Sequence, residues 1–130
     1  MDKEIIEVPV LSAAIRNLGI PLSPVIRANG FVFVSGLPPL DLETGKLIRG
    51  DITAQTECVL KNVQRALESA GSSLDKVLKV NLYSANSGYF NRINEVYARF
   101  FAQRPPARTF VAVGSWPLEF DVEMECVALA

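Results

Sequence analysis

Residues 76–83 read Lys-Val-Leu-Lys-Val-Asn-Leu-Tyr, a strand-length run rich in apolar residues between two segments of helical period. On its N-terminal side, Asp51 is placed to cap a helix. Val59, Val63, Ala66, Leu67 and Ala70 follow at helical spacing, and Gly71 stands where a C-terminal glycine belongs. On its C-terminal side, a second helix is expected over roughly 88–102. Phe90, Ile93, Tyr97, Phe100 and Phe101 form one stripe, and Pro105-Pro106 ends the helix. A strand held between two such helices predicts crossover connections, which place both helices on one face of one sheet.

The flanks supply the other strands. Val25-Ile26, Asn29-Gly30 and Phe31-Val32-Phe33-Val34 predict a hairpin, since Asn-Gly accepts the positive φ angles of a tight turn. Pro38-Pro39 stops the second strand, and Gly45 in 41–47 marks a further turn. Two more strands are expected at 109–113 and 120–129. Residues 4–8 read as extended, the segment through Asn17 as helical turn or loop, and 19–24 as irregular because of Pro21 and Pro24. No repeat or composition shift divides the chain, so residues 1–130 are one domain.

Two helices cover only one face of this sheet. The runs 31–34, 76–83 and 109–113 nevertheless carry apolar side chains on both alternating sets. A bare apolar face would exceed the roughly 300–600 Å² patch of an ordinary monomer. Self-association through that face is therefore expected.

Composition limits the chemistry. The 130 residues include no histidine, 13 Lys+Arg and 14 Asp+Glu, for a net charge of −1. A Ser-His-Asp triad, a Cys-His pair, a histidine metal cage and an imidazole base are excluded. The near-neutral charge carries no nucleic-acid footprint. The charged N-terminus and short apolar stretches predict neither a signal peptide nor a membrane span. Cys58 and Cys126, distant in sequence, fit reduced thiols in the cytoplasm and read as packing residues.

Three constellations remain. Over 120–126 the alternation puts Phe120, Val122, Met124 and Cys126 on one face and Asp121, Glu123 and Glu125 on the other. Either these acids form a solvated face, or one carboxylate activates water. Arg108 follows Pro105-Pro106 at a strand start, poised either to grip a carboxylate with two parallel hydrogen bonds or to form a structural salt bridge. Ser35-Gly36, where a strand yields to loop, offers a hydroxyl and backbone N–H groups to an anion. Ser73 and Lys76 have the S-x-x-K spacing, but the serine follows a helix rather than opening one. Thr44-Gly45-Lys46 lacks the rest of a phosphate loop.

Taken in order, FVFVSG (31–36), LDLETGKL (40–47), GDITAQT (50–56), ESAGSSLDKVLKVNLY (68–83), FNRINEVYARFF (90–101), PPARTF (105–110) and DVEMECVA (121–128) resemble the RidA (YjgF) family of enamine/imine deaminases. The resemblance runs from about Ser23 to the C-terminus. It implies a chorismate-mutase-like α+β fold, a mixed sheet with two helices on one face. It also implies a homotrimer with active sites in the clefts between subunits, and no cofactor. The implied reaction is hydrolysis of 2-enamino and 2-imino acids to 2-keto acids and ammonia. By resemblance, Arg108 binds the substrate carboxylate, Glu123 positions the attacking water, and Ser35 and Asn94 line the cleft.

Four positions depart from the family pattern: Leu22 replaces a tyrosine, Pro24 and Leu37 replace glutamines, and Phe110 replaces a small residue or cysteine. They imply a more apolar pocket with shifted specificity. Two alternatives stand beside this reading. One is a regulatory trimer that binds small carboxylates without turnover, and the other a deaminase of a larger catabolic enamine such as 2-aminomuconate. A ribonuclease activity, attached to some relatives, is disfavoured by the missing histidine and the near-neutral charge.

Overall fold

The computed structural model describes residues 2–130. In chain order its elements are β1 (Glu4–Ile5), α1 (Leu11–Asn17), β2 (Val25–Ala28), β3 (Phe31–Leu37), β4 (Leu40–Asp41), β5 (Lys46–Leu47), α2 (Ile52–Ser69), β6 (Val77–Ser84), α3 (Phe90–Phe100), β7 (Ala107–Ala112) and β8 (Val122–Leu129). Six strands form one mixed sheet in the order β1-β2-β3-β8-β6-β7, and β4 and β5 make a small separate hairpin.

Local signals explain most of these boundaries. Asn29 and Gly30, at φ 53° and 81°, close the β2–β3 hairpin. The Asp51 carboxylate accepts the Thr53 N–H at 3.2 Å and caps α2. Gly71, at φ 79°, follows the end of α2, where the Arg27 guanidinium also reaches the Ala70 carbonyl. The undecided segment before Asn17 is a two-turn helix, so there are three α-helices rather than two. A short 3₁₀ turn, 87–89, leads into α3, which therefore begins at Phe90.

Only one helical crossover joins adjacent strands, β6 to parallel β7. The other, through α2, connects β3 to β6, and β8 lies between them, antiparallel to both. The last strand thus occupies the centre of the sheet. Its core face (Val122, Met124, Cys126 and Ala128) is buried against α2, whose Val59, Leu60, Val63, Ala66 and Leu67 have no exposed surface. Burying a Val or Leu side chain contributes about 1.5–3 kcal/mol, so this seam dominates the core. On α3, Ile93, Val96 and Tyr97 are buried. Phe90, expected on the same stripe, is 42% exposed and turns toward β7, and Val96 takes its place in the core.

The face of the sheet away from α2 carries Phe33, Leu129 and Val111, each more than a third exposed, around the polar residues Lys79, Asn81, Tyr83, Glu123 and Glu125. Among the described residues no helix is long and apolar enough to cross a membrane.

Candidate active site

The residues singled out in the sequence fall into two groups, on opposite faces of the sheet. In β7, Arg108 is level with Val80 and Phe110 with Leu82. Both partners are core residues, so Arg108 and Phe110 belong to the face that carries the helices. Glu123 is level with Tyr83 on β6, one residue out of phase with core residues Val122 and Met124, and belongs to the other face.

The first group stands at the β7 edge. The Arg108 guanidinium carbon lies 4.8 Å from the centre of the Tyr97 ring and 5.7 Å from that of Phe90. Phe110 meets Phe90 edge to face, with ring centres 5.0 Å apart. The ion pairs among the described residues join Arg16–Glu7, Arg49–Glu119, Lys61–Glu57 and Arg99–Glu57, so the salt-bridge reading of Arg108 finds no partner within the chain. Asn94 Oδ1 and Tyr97 Oη, three residues apart on α3, are buried without a hydrogen-bond partner. Burial pushes the Tyr97 phenol up to about 12 although Arg108 pulls the other way, so Tyr97 is a neutral donor at ordinary pH. The arginine thus rests on an aromatic platform, with its donors uncommitted and unfilled polar atoms beside it.

The second group is built on a bulge. Val34 is paired with Cys126 and Leu37 with Met124, so Ser35 and Gly36 together oppose Glu125. The Pro24 carbonyl accepts the Ser35 N–H at 2.9 Å and anchors the bulge. Glu123 folds over Gly36, where a Cβ would overlap its carboxylate. Burial first, and Glu125 second, raise its proton affinity above the ordinary carboxylate value. Ser35 Oγ is buried without a partner. A half-buried carboxyl lying over Gly36, next in sequence to an unpartnered serine hydroxyl, suits proton transfer with water.

The four departures separate in space. Phe110 packs edge to face on Phe90, one of the two rings under Arg108. Leu22 is 43% exposed, in the segment leading to Pro24. Leu37, expected to make the pocket more apolar, is instead 1% exposed, inside the core. The bulge shifts the alternation by one residue, and that turns Leu37 inward. Cys126 is buried and its thiol pushed up to about 12, Cys58 is half-buried and pushed up to about 11, and burial is the main cause for both. Neither is an activated nucleophile.

Sequence reasoning missed Gln55. It is fully buried, donates to the Gly50 carbonyl at 3.2 Å and the Asp121 carboxylate at 3.0 Å, and accepts the Asp121 N–H at 2.9 Å. It thereby pins the chain two residues before Glu123. The available signal was a polar residue in helical phase with Val59 and Val63.

Surface cavities of about 390, 410 and 740 Å³ lie beside α2, at the C-terminal end of α3, and between α1 and the β4–β5 hairpin. None of the three is lined by Arg108 or Glu123. Among the described residues no cluster of His, Cys, Asp and Glu could hold a metal ion.

The sequence pattern of the family described as Endoribonuclease L-PSP matches residues 14–130. A RutC family protein of Pyrococcus abyssi is 42% identical over 108 residues, covering 83% of this chain and 85% of that protein. Reactive Intermediate Deaminase A, chloroplastic, of Arabidopsis thaliana is 36% identical over 128 residues, covering 98% of this chain and 66% of that protein. The crystal structure of E. coli TdcF with bound serine superposes with a TM-score of 0.88 at 29% identity, over 98% of each chain. The match over residues 14–130, the mixed sheet and the full-length likeness agree, and the chain belongs to the Endoribonuclease L-PSP family, also called RidA or YjgF.

Proposed function

We propose that the protein hydrolyses 2-imino acids, and the 2-enamino acids that tautomerise to them, to 2-keto acids and ammonia. The sites form between copies of the chain in a homotrimer. The observation that carries this reading is the division of the two groups. Arg108 and Glu123 lie on opposite faces, so one chain cannot bring both to the same small molecule. A second copy that covers the apolar outer face brings its own β7 edge up to Glu123, and a closed ring repeats that contact at every interface. The relative named Reactive Intermediate Deaminase A supports the reaction class. The serine held by TdcF supports a ligand with an amino-acid skeleton.

Arg108 clamps the substrate carboxylate through two charge-assisted hydrogen bonds, with Tyr97 and Phe90 fixing the guanidinium plane. Glu123 takes a proton from water as the oxygen attacks C2 of the imine. It returns that proton to nitrogen to give the carbinolamine, then takes the hydroxyl proton and passes it to the amine as the C–N bond breaks, releasing the ketone and ammonia. The imine carbon is already electrophilic, so positioning and one proton shuttle suffice, without histidine, metal or organic cofactor. Phe110 and Leu22 direct specificity toward apolar side chains. Both thiols are free, which suits a reducing cytoplasm.

The test generates 2-imino acids of graded side-chain size with an amino-acid oxidase and follows ammonia release. Arg108→Ala is expected to abolish the acceleration, and Glu123→Gln to lower turnover while sparing binding. Full activity in purified Arg108→Ala would sink the assignment. The regulatory reading is favoured by one observation, Phe110 beside Arg108. It is selected if wild type binds 2-keto acids yet accelerates hydrolysis of no imine in the series.

A further inference from the structure

Glu123 and Glu125 share one face of β8, with Cα atoms about 6.6 Å apart along the strand, yet their surroundings are opposite in kind. Tyr83 is level with Glu123 but bypasses it, and its phenol donates to Glu125 Oε1. Asn81, level with Glu125, donates to the same oxygen at 3.5 Å. Glu125 thus gathers two side-chain donors of the adjacent strand. Glu123 receives none and is pressed over Gly36. Paired carboxyls in such unlike settings can divide the labour between one held by hydrogen bonds and one left free of them.

We propose that Glu125, held by Tyr83 and Asn81 on the same face two residues from Glu123, is a positioning residue that tunes the proton exchange of Glu123 with water. This rests on the deaminase reading for its catalytic meaning, but the coupling itself is a property of the folded chain. The other groups around Glu123 do not compete. On β8, the Asp121 carboxylate is bonded to Gln55. On β6, Lys79 is level with Val127, four residues along, and donates to Thr109. β3 contributes only Ser35, Gly36 and Leu37 here, and the matching face of β7 only Ala107, Thr109 and Val111. In the proposed cleft, Arg108 of the neighbouring copy is the remaining charge, and the substrate carboxylate meets it. Glu125 thus adds to burial in keeping Glu123 able to hold a proton as well as to take one. Burial and the Glu125 charge raise the Glu123 proton affinity, in keeping with this geometry.

The experiment follows the side-chain carboxyl carbons of protein labelled with ¹³C-glutamate through a pH titration, the Glu123 signal being the one lost in Glu123→Gln. In Glu125→Gln the Glu123 midpoint is expected to fall, because the like charge two residues away is gone while the burial remains. Glu125→Asp restores most of the wild-type value. The acid limb of kcat/KM for imino-acid hydrolysis moves down with the Glu123 midpoint. An unchanged Glu123 midpoint in Glu125→Gln overturns the proposal. A shifted midpoint in a protein that hydrolyses no imino acid upholds the coupling and refutes the deaminase reading instead.

Discussion

Arg108 and Glu123 stand on opposite faces of one sheet, so loss of either should be repaired by a subunit that retains it. The experiment starts from two inactive parents. In the proposed site, Arg108→Ala would remove two charge-assisted hydrogen bonds to the substrate carboxylate, at roughly 1.5–3 kcal/mol each. At 1.4 kcal/mol per factor of ten, this lowers kcat/KM by about 10²–10⁴. Glu123→Gln keeps shape and removes the base, typically worth about 10²–10⁴. The two are mixed in equal amounts, exchanged through mild denaturation and refolding, and checked by native mass spectrometry for mixed assemblies. A site works only when its Arg108 comes from a Glu123→Gln chain and its Glu123 from an Arg108→Ala chain. With random mixing in a closed ring, each condition holds half the time, so about one quarter of wild-type activity returns. That figure does not depend on the number of subunits in the ring. Activity no higher than that of the parents, in a sample shown to be mixed, would refute the shared site.

Other expectations follow from single contacts. Gly36→Ala should retain near-ultraviolet circular dichroism yet lose at least about tenfold in kcat, because the new methyl displaces the Glu123 carboxylate; unchanged turnover would separate Glu123 from the bulge. Gln55→Leu leaves the Asp121 N–H and the Gly50 carbonyl without their side-chain partner and should cost about 2–4 kcal/mol in urea denaturation. Glu123→Gln should raise thermal stability at neutral pH. The folded state raises the proton affinity of Glu123, so its charge opposes folding above that raised value. Stability of the wild type recovers as pH falls through this window, and the two proteins converge once Glu123 is protonated. A Glu123→Gln protein less stable than wild type at neutral pH would contradict this.

Much of the fold was legible because its signals are local. Asp51 and Gly71 bound α2, Asn29-Gly30 closes the hairpin, and the alternation over 120–126 separates acids from core residues. The register of β8 was not legible, because hydrogen bonds between distant segments place it between β3 and β6. Leu37 shows the same limit. A bulge inserts one residue, and every later side chain changes face, so a position that reads as pocket lining becomes core. Phe90 reads as part of a helical stripe, and only the fold shows that its neighbours are Phe110 and Arg108 of β7.

For the site, residue types were readable and their relation was not. The missing histidine excluded most catalysts, and the ordered motifs singled out Arg108, Glu123, Ser35 and Asn94. Gln55, the buried brace, was hidden because a polar residue in an apolar stripe has meaning only once Asp121 is seen beside it. The sequence by itself determined most of the elements and the chemistry available, because period, capping and composition are properties of neighbouring residues. Only the tertiary structure decided that Arg108 and Glu123 face opposite ways. Which face a side chain occupies depends on strand register, and pairing between remote segments sets that register.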